Sequence, residues 1–233
     1  MIKTRIAAFL LVLLACASAV NAQMVPGEHW QKYTDVKDAG FSKANLDSAK
    51  RAFEVSNGAG LFVVHDGIVL TAWGDINRRF ISASVRKSLL NALMGIAVDQ
   101  GKVDLKKTLA DLHINDINAL SPEERRATVL DLLSSRSGVY HPAAYSPRNM
   151  IENLPERGSH SPGSFWYYNN WDFNTLATIY EQGTHSSVFE SFQQNIAQPI
   201  SMEDFKLSTT YYRLERDVSQ HPAYLFRLSA RDM

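Results

Sequence analysis

The chain has 233 residues, enough to bury the core of one large domain or of two closely packed ones. Hydrophobic residues make up 45% of the chain and charged residues 21%, a composition typical of globular proteins. Lys plus Arg and Asp plus Glu each count 24, so no excess of basic charge indicates nucleic acid or an anionic membrane surface as a partner.

The first 22 residues have the pattern of a secretory signal peptide. Lys3 and Arg5 precede an apolar run over residues 6–14, and Val20-Asn21-Ala22 is an acceptable cleavage site before Gln23. The apolar run is too short to span a membrane stably. We therefore expect residues 1–22 to be removed, and the remaining domain, residues 23–233, to be exported to the periplasm or secreted.

Cys16 is the only cysteine, and it lies within the predicted signal peptide. The mature chain would then have no disulfide, no thiol nucleophile and no cysteine metal site. An alternative is that Leu13-Leu14-Ala15-Cys16 is a lipoprotein cleavage box with Cys16 as the lipid-bearing residue, which would make a membrane a partner. We favour simple cleavage because one Leu of this box is not the usual residue.

The next segment predicts an arm, a helix and a β-hairpin. In chain order, these elements are an extended arm over residues 23–40, a helix over 41–55 and two strands over 61–65 and 68–73. Trp30 and Tyr33 are expected to pack the arm onto the body. Asp66-Gly67 between the strands is a strong hairpin-turn signal.

The most apolar helix predicted for the mature chain begins near Ser84 and ends near Gln100. Its apolar residues recur at helical spacing, and Gly101 is a plausible stop. Ser84 then lies at the first turn, with Lys87 three residues later on the same face.

Ser84 and Lys87 have the spacing that nucleophilic catalysis needs. A serine hydroxyl is a poor nucleophile until a nearby base takes its proton, and a lysine serves as that base only when burial lowers its pKa. The alternative is that Ser84 merely caps the helix, because a Ser-x-x-Lys match also arises by chance. A Ser-His-Asp site is not favoured because no Gly-x-Ser-x-Gly occurs, and the seven His show no metal-ligand spacing.

The second half of the chain predicts mainly helices and one long loop. Ser121-Pro122-Glu123-Glu124 is a capping box that opens a helix ending near Gly138. Residues 141–162 are a long loop, a kind of segment that is often functional. An aromatic cluster at residues 165–171 precedes two helices, and for most of its rings a place in the core is the better prediction. These two helices are expected over residues 172–181 and 186–197.

The last residues suggest that the sequence continues. Ser229-Ala230-Arg231-Asp232 is typical of an N-cap and first helical turn, yet the chain ends at Met233. A two-stranded hairpin facing several helices also leaves most of a sheet unaccounted for. We therefore expect this chain to be the N-terminal part of a longer protein.

Five stretches, over residues 80–88, 132–138, 162–170, 199–202 and 228–233, together resemble the superfamily of serine β-lactamases, penicillin-binding proteins and esterases, in particular the branch of class C β-lactamases and their esterase-like relatives. Residues 80–88 are similar to its Ser-x-x-Lys motif, 132–138 to its Leu-Leu-x-x-x-Ser-Gly stretch and 162–170 to its Pro-Gly-x-x-[Phe/Trp]-x-Tyr-Ser-Asn motif. Residues 199–202 and 228–233 match later landmarks. The resemblance covers roughly residues 40–233.

The resemblance implies an α/β (α+β) fold, with an antiparallel sheet flanked by helices beside an all-helical lobe. It also implies an acyl-enzyme mechanism without a metal or other cofactor. By this resemblance Ser84 would be the nucleophile, Lys87 its proton acceptor, Tyr168 the second acid/base group and Asn170 a contact of the substrate and of the lysine. Tyr167 and Asn169 have the same Tyr-x-Asn spacing, but counting from Pro162-Gly163 favours Tyr168 and Asn170.

The sequence also departs from the family pattern. Asn169 replaces a Ser, Trp171 and Asp172 replace small residues, and Ser201 replaces a Gly. The family's third motif, Lys-x-Gly or His-x-Gly, does not occur after Asn170, and it should supply the second oxyanion donor. We therefore expect the site of this chain to be incomplete and the chain to be poorly active.

The sequence thus predicts an exported serine hydrolase that acts through an acyl-enzyme on an ester, amide or lactam carbonyl of a small-molecule or peptide-like substrate. The neighbours of the motifs favour an esterase or amide hydrolase over a dedicated antibiotic-degrading enzyme. Two alternatives stay open, a penicillin-binding D-alanyl peptidase and an inactive or non-catalytic binding protein. The oligomeric state is not predicted.

Overall fold

The computed structural model describes residues 26–233, so the predicted signal peptide and Cys16 lie outside the described residues. The chain divides into two compact units, one ending at Asp75 and one spanning Ile76–Met233. Within residues 26–233, no helix has the length and apolar character needed to cross a membrane. The described chain combines helices with short antiparallel strand pairs, which confirms the predicted mixed α/β class.

The first unit contains the predicted helix and hairpin. Its elements are α1 (Lys43–Val55), β1 (Gly60–His65) and β2 (Ile68–Gly74). The turn residues Asp66 and Gly67 have φ values of 51° and 78°, the positive values that a tight hairpin turn requires. The arm lies along β2, because Val69 donates its N–H to Gln31 and Tyr33 donates its N–H to Val69. The predicted hairpin and the packing of the arm are therefore confirmed, but the arm predicted to be extended includes a 3₁₀ turn over Val36–Ala39.

The second unit is built mainly from helices. Its helices are α2 (Val85–Asp99), α3 (Val129–Leu133), α4 (Arg148–Glu152), α5 (Asn170–Thr184) and α6 (Val188–Phe192). Its strands are β3 (Phe80–Ile81), β4 (Tyr211–Arg213), β5 (Ala223–Leu225) and β6 (Arg227–Leu228). Strand β3 pairs with β6, and β4 pairs with β5, both antiparallel. The predicted antiparallel sheet thus takes the form of separate two-stranded pairs in the described chain.

The core of this unit lies between α2, α5 and α6. Leu93, Leu132, Trp171 and Leu176 are fully buried there. Such packing explains why the apolar stripe of the sequence predicted α2 correctly.

The helix predicted after Ser121 is wrong in its extent. Ser121 and Glu124 form the predicted capping box, since each backbone N–H donates to the other side chain. Only a 3₁₀ turn follows, over Glu124–Arg126. The backbone then extends so that the carbonyl of Ala127 accepts a hydrogen bond from Leu109, and a second capping box at Thr128 begins α3. Tertiary pairing thus overrides the helical pattern at this point.

Three other predicted elements differ from the structure. The predicted helix over residues 186–197 is α6 followed by a π-helical turn over Gln193–Ala197. The predicted long loop over residues 141–162 includes the short helix α4. In the aromatic cluster, Trp171 is buried as expected, but Phe165 and Trp166 are exposed.

Glu124 fixes both sides of the loop over residues 141–162. Its carboxylate accepts two hydrogen bonds from Arg157 and lies 3.2 Å from His141 Nε2. Although burial alone would raise it, the hydrogen bonds from Arg157 and from the N–H of Ser121 lower the pKa of Glu124 to about 2. Gly138 closes the base of this loop with φ +69°, where a Cβ atom would lie 2.6 Å from the carbonyl oxygen of His160.

We expect Glu124→Gln to lower the free energy of unfolding at pH 7 by about 2–4 kcal/mol, because it leaves Arg157 without its buried partner. The folded pKa is depressed, so the ionised Glu124 stabilises the wild-type fold above the unfolded pKa. This contribution is lost as the pH falls from about 4.5 towards 2. Urea unfolding at several pH values measures both effects.

The matched control is Glu123→Gln, because Glu123 is an exposed neighbour whose ion-pair partner is the exposed Arg126. This control should change the free energy of unfolding by less than about 0.5 kcal/mol. Equal effects of the two substitutions would contradict an anchoring role for Glu124.

Candidate active site

The short strand β3 and the turn that follows it fix the position at which α2 begins. The N–H of Ser82, just after β3, donates to the carbonyl of Phe226 at 3.0 Å, and the N–H of Val85 donates back to Ser82. Between them Ala83 has φ +45°, a left-handed conformation that is unusual for a residue with a side chain. This tight turn leaves Ser84 exposed at the N-cap of α2. Strained turns of this kind often hold functional side chains.

Lys87 points its amine at the hydroxyl of Ser84. Its Nζ lies 3.1 Å from Ser84 Oγ, in accord with the expected placement on the same helical face. The Lys87 side chain is only 8% exposed, and its Nζ lies 4.7 Å from the ring centre of Tyr168 and 5.2 Å from that of Phe173. The amine therefore sits between two aromatic rings rather than in solvent.

The surroundings of Lys87 favour a neutral amine. Burial, and then the positive charge of neighbouring Arg86, lower the pKa of Lys87 from 10.5 to about 7. In residues 26–233, Lys87 forms no ion pair with a carboxylate that would reverse this shift. Near neutral pH, the Lys87 amine is therefore unprotonated in a substantial fraction of the molecules and can accept a proton there.

Arg86 is a buried cation held without a carboxylate partner in the described chain. It is 1% exposed, donates from Nη2 to Asn174 Oδ1 at 3.1 Å and lies 4.4 Å from the ring centre of Tyr224. Its Nε and Nη1 have no hydrogen-bond partner within the described part of the chain. Its positive charge is therefore compensated mainly by neutral dipoles and an aromatic ring. The Arg86 charge thus still disfavours a second positive charge on Lys87.

Tyr168 completes a three-residue contact with Ser84 and Lys87. Its hydroxyl donates to Ser84 Oγ at 2.8 Å. The backbone here is set by Asn169, which caps α5 by accepting a hydrogen bond from the N–H of Trp171. Tyr167, the alternative considered from the sequence, instead donates its hydroxyl to the carbonyl of Met150. The structure thus brings together Ser84, Lys87 and Tyr168.

Asn170 lies in the same site as Ser84, Lys87 and Tyr168 but does not make the expected contact with Lys87. It is 4% exposed, and its Nδ2 donates to the carbonyl of Tyr145 at 2.8 Å. Its Oδ1 has no hydrogen-bond partner among residues 26–233, so it accepts no bond from Lys87. The amide oxygen remains available to a donor from outside the chain.

The unusual residues that follow the tyrosine motif belong to the core rather than to the site. Trp171 donates from its ring nitrogen to buried Asp116 at 2.7 Å. Asp172 is fully enclosed, and burial raises its pKa well above the usual range although Ser137 donates to it at 2.6 Å. These departures from the family pattern therefore change interior packing and not the groups around Ser84.

A cavity of about 490 Å³ opens beside Ser84. This volume lies within the usual range for small-molecule sites. Besides the four predicted residues, its lining includes side chains that the sequence did not indicate, namely Tyr145, Pro147, Met150, Arg213 and Glu215. The first three lie on the loop that was expected to be functional, but no local pattern marked Arg213 or Glu215.

Metal ligands do not gather at this or another place in residues 26–233. No group of three or more His, Cys, Asp or Glu side chains there could hold a metal ion.

A profile of the β-lactamase family matches residues 48–233. No match is found among curated proteins.

Several solved structures are similar to this chain. One is from Bacillus anthracis and carries a provisional assignment as a 6-aminohexanoate-dimer hydrolase, with 21% identity, TM-score 0.61 and coverage of 90% of this chain and 62% of that one. A β-lactamase/D-alanine carboxypeptidase from Yersinia pestis has 17% identity, TM-score 0.56 and coverage of 82% and 67%. SurE has 21% identity, TM-score 0.56 and coverage of 84% and 52%.

At these identities the solved structures show a shared fold and no more. The chain spans about half of SurE and 62% of the length of the Bacillus anthracis protein.

Burial of Lys87 predicts that the amine needed as a base in the site lowers the stability of the fold. We expect Lys87→Met to raise the free energy of unfolding near pH 7 by about 1–3 kcal/mol. This is only part of what the difference between the folded and unfolded pKa of Lys87 would give at about 1.4 kcal/mol per pKa unit. Between pH 7 and 10.5 the unfolded wild-type lysine binds more protons than the folded one, so wild-type stability rises with pH. The difference in free energy of unfolding between Lys87→Met and wild type should therefore be smaller at pH 10 than at pH 7.

Urea unfolding at pH 7 and pH 10 measures this gap, with Lys106→Met as the control because Lys106 is exposed. A Lys87→Met variant less stable than wild type at pH 7, or a gap that does not change with pH, would show that the amine is not a buried base.

Proposed function

The chain belongs to the β-lactamase family, and on that premise we propose that it is a serine hydrolase. Ser84 attacks an ester, amide or lactam carbonyl to form an acyl-enzyme, and water then hydrolyses that intermediate. The contact of both Lys87 Nζ and Tyr168 OH with Ser84 Oγ is the observation that carries this proposal.

The acylation step begins with loss of the Ser84 proton. Neutral Lys87 accepts this proton through the 3.1 Å contact while Ser84 Oγ forms a bond to the carbonyl carbon. The bond from that carbon to the leaving group then breaks, and the leaving group takes a proton from the Lys87 ammonium by way of the Tyr168 hydroxyl. In the second half, water attacks the acyl carbonyl carbon and gives up a proton to Lys87. The bond from that carbon to Ser84 Oγ then breaks, Ser84 Oγ takes back a proton from the same pair, and the acid is released.

The developing oxyanion needs hydrogen-bond donors. The positive end of the α2 dipole adds a favourable field at Ser84, although the N–H groups of Val85 and Lys87 already donate to the carbonyls of Ser82 and Ser84. The motif that supplies the second donor in the family is absent from this sequence, and loss of one such donor typically slows the reaction by about 100- to 1,000-fold. Slow acylation is therefore expected, and an end-point readout suits it better than turnover.

We propose that the substrate is a small-molecule or peptide-like acyl compound, and that the enzyme acts outside the cytoplasm after export. Two similar structures support the proposal of a hydrolase. One is provisionally assigned as a 6-aminohexanoate-dimer hydrolase, and the other is a β-lactamase/D-alanine carboxypeptidase. A D-alanyl peptidase is distinguished by turnover of D-alanyl peptides, and a non-catalytic binding protein by lack of any acylation.

A fluorophosphonate probe tests the nucleophile. We expect the intact mass of the chain to increase by one probe adduct, and Ser84→Ala to abolish this increase. Ser88→Ala is the matched control, since Ser88 is exposed on the same helix and should leave labelling unchanged. An adduct that survives in Ser84→Ala would exclude Ser84 as the nucleophile.

The phenol has a separate test. We expect Tyr168→Phe to slow acylation by an aryl ester by about 10²- to 10⁴-fold, the usual contribution of a general acid or base. Tyr167→Phe is the control, because that hydroxyl bonds the carbonyl of Met150 and not Ser84. Circular dichroism establishes that both variants fold, and equal rates in the two would remove Tyr168 from the mechanism.

A further inference from the structure

A guanidinium group at the end of β4 shares the cavity with Ser84. Arg213 donates from Nε to Glu215 Oε1 at 2.6 Å, and its Cζ lies 5.3 Å from the ring centre of Tyr145. Its side chain is 52% exposed, so a ligand can reach it. Among the described residues, its terminal Nη1 and Nη2 have no hydrogen-bond partner. Arg213 is therefore held in place on one side and open on the other.

The charges that line the cavity favour an anion. Arg86, Lys87 and Arg213 are the basic groups there, and Glu215 is the only acidic one in the lining. Even with Lys87 neutral, two guanidinium groups stand against one carboxylate. Arg86 is buried without a carboxylate partner in residues 26–233, so its charge adds to the positive potential inside the cavity.

We propose that Arg213 is a carboxylate-binding subsite, and that the preferred substrates carry a carboxylate on the acyl group in addition to the scissile carbonyl. The assignment rests on the proposed function of Ser84. The planar guanidinium presents two parallel N–H groups that match a carboxylate, and here the Nη pair is the free one because Nε is bound to Glu215. The ion pair and the Tyr145 ring preorganise the group, which lowers the entropy lost on binding.

An ammonium-bearing substrate is the opposite possibility, with Glu215 as its partner. Glu215 is already engaged, since Oε1 accepts from Arg213 and Oε2 lies 3.4 Å from the backbone nitrogen of Tyr145. A positive group would also meet the net positive charge of the lining. The structure therefore favours the anion.

Three aryl esters of equal chain length test the subsite. These are mono-p-nitrophenyl adipate, p-nitrophenyl hexanoate and p-nitrophenyl 6-aminohexanoate, whose acyl ends are negative, neutral and positive. After subtraction of spontaneous hydrolysis, we expect the second-order rate constant for acylation to be about tenfold or more higher for the adipate than for the hexanoate, and lowest for the 6-aminohexanoate.

Arg213→Gln assigns any preference to the subsite. This variant should lower the adipate rate constant by about 10- to 100-fold and leave the hexanoate rate constant within about threefold of wild type. Arg216→Gln removes the same charge from an exposed neighbour and should leave the preference intact. A neutral or positive ester preferred by the wild type, or equal loss on all three esters in Arg213→Gln, would overturn the subsite while leaving Ser84 as the nucleophile.

Failure of the proposed function has a different signature. In that case neither the esters nor the fluorophosphonate probe acylates Ser84. The subsite is then tested by the binding of adipate itself, which is monitored by changes in NMR chemical shifts. Binding to wild type and Arg216→Gln but not to Arg213→Gln supports the subsite, and equal binding to all three or to none overturns it.

Discussion

The buried amine of Lys87 beside the Ser84 hydroxyl is the interaction on which the account of this site depends. Packing of the apolar stripe of α2 also buries Lys87, which lies in the first turn of that helix. Burial disfavours an ammonium ion there, no carboxylate of residues 26–233 pairs with it, and the positive charge of Arg86 disfavours it further. The same packing that stabilises the fold thus creates the base that a serine nucleophile needs, at a cost in stability borne by one lysine.

The rest of the second unit holds this contact in place. The pairing of β3 with β6 and the left-handed turn at Ala83 expose Ser84, while the cap at Asn169 directs Tyr168 towards it. Glu124 fixes the loop that forms one wall of the cavity. Strand β3 and Ala83 directly precede Ser84, whereas β6, Asn169 and Glu124 are distant in sequence. Together these contacts restrict the movements that would otherwise separate the three reacting side chains.

Helical geometry and motif spacing explain how much of the site the sequence predicts. Ser84 and Lys87 meet because residues three apart share a helical face, and Tyr168 was preferred to Tyr167 by its distance from Pro162-Gly163. The break at Ala127 could not be predicted, because it arises from pairing with Leu109. Arg213 could not be predicted either, since it lies on a three-residue strand without periodic pattern, and its place on the cavity is a tertiary fact.

The titration of Lys87 itself tests the central claim most directly. Lysine labelled with ¹³C at Cε can be followed by NMR from pH 5 to pH 12, with the Lys87 resonance assigned by its loss in Lys87→Met. The buried, Arg86-repelled amine should titrate with a midpoint near 7. A midpoint near the ordinary lysine value of about 10.4 would show a solvated ammonium ion, and Ser84 would then have no base at neutral pH.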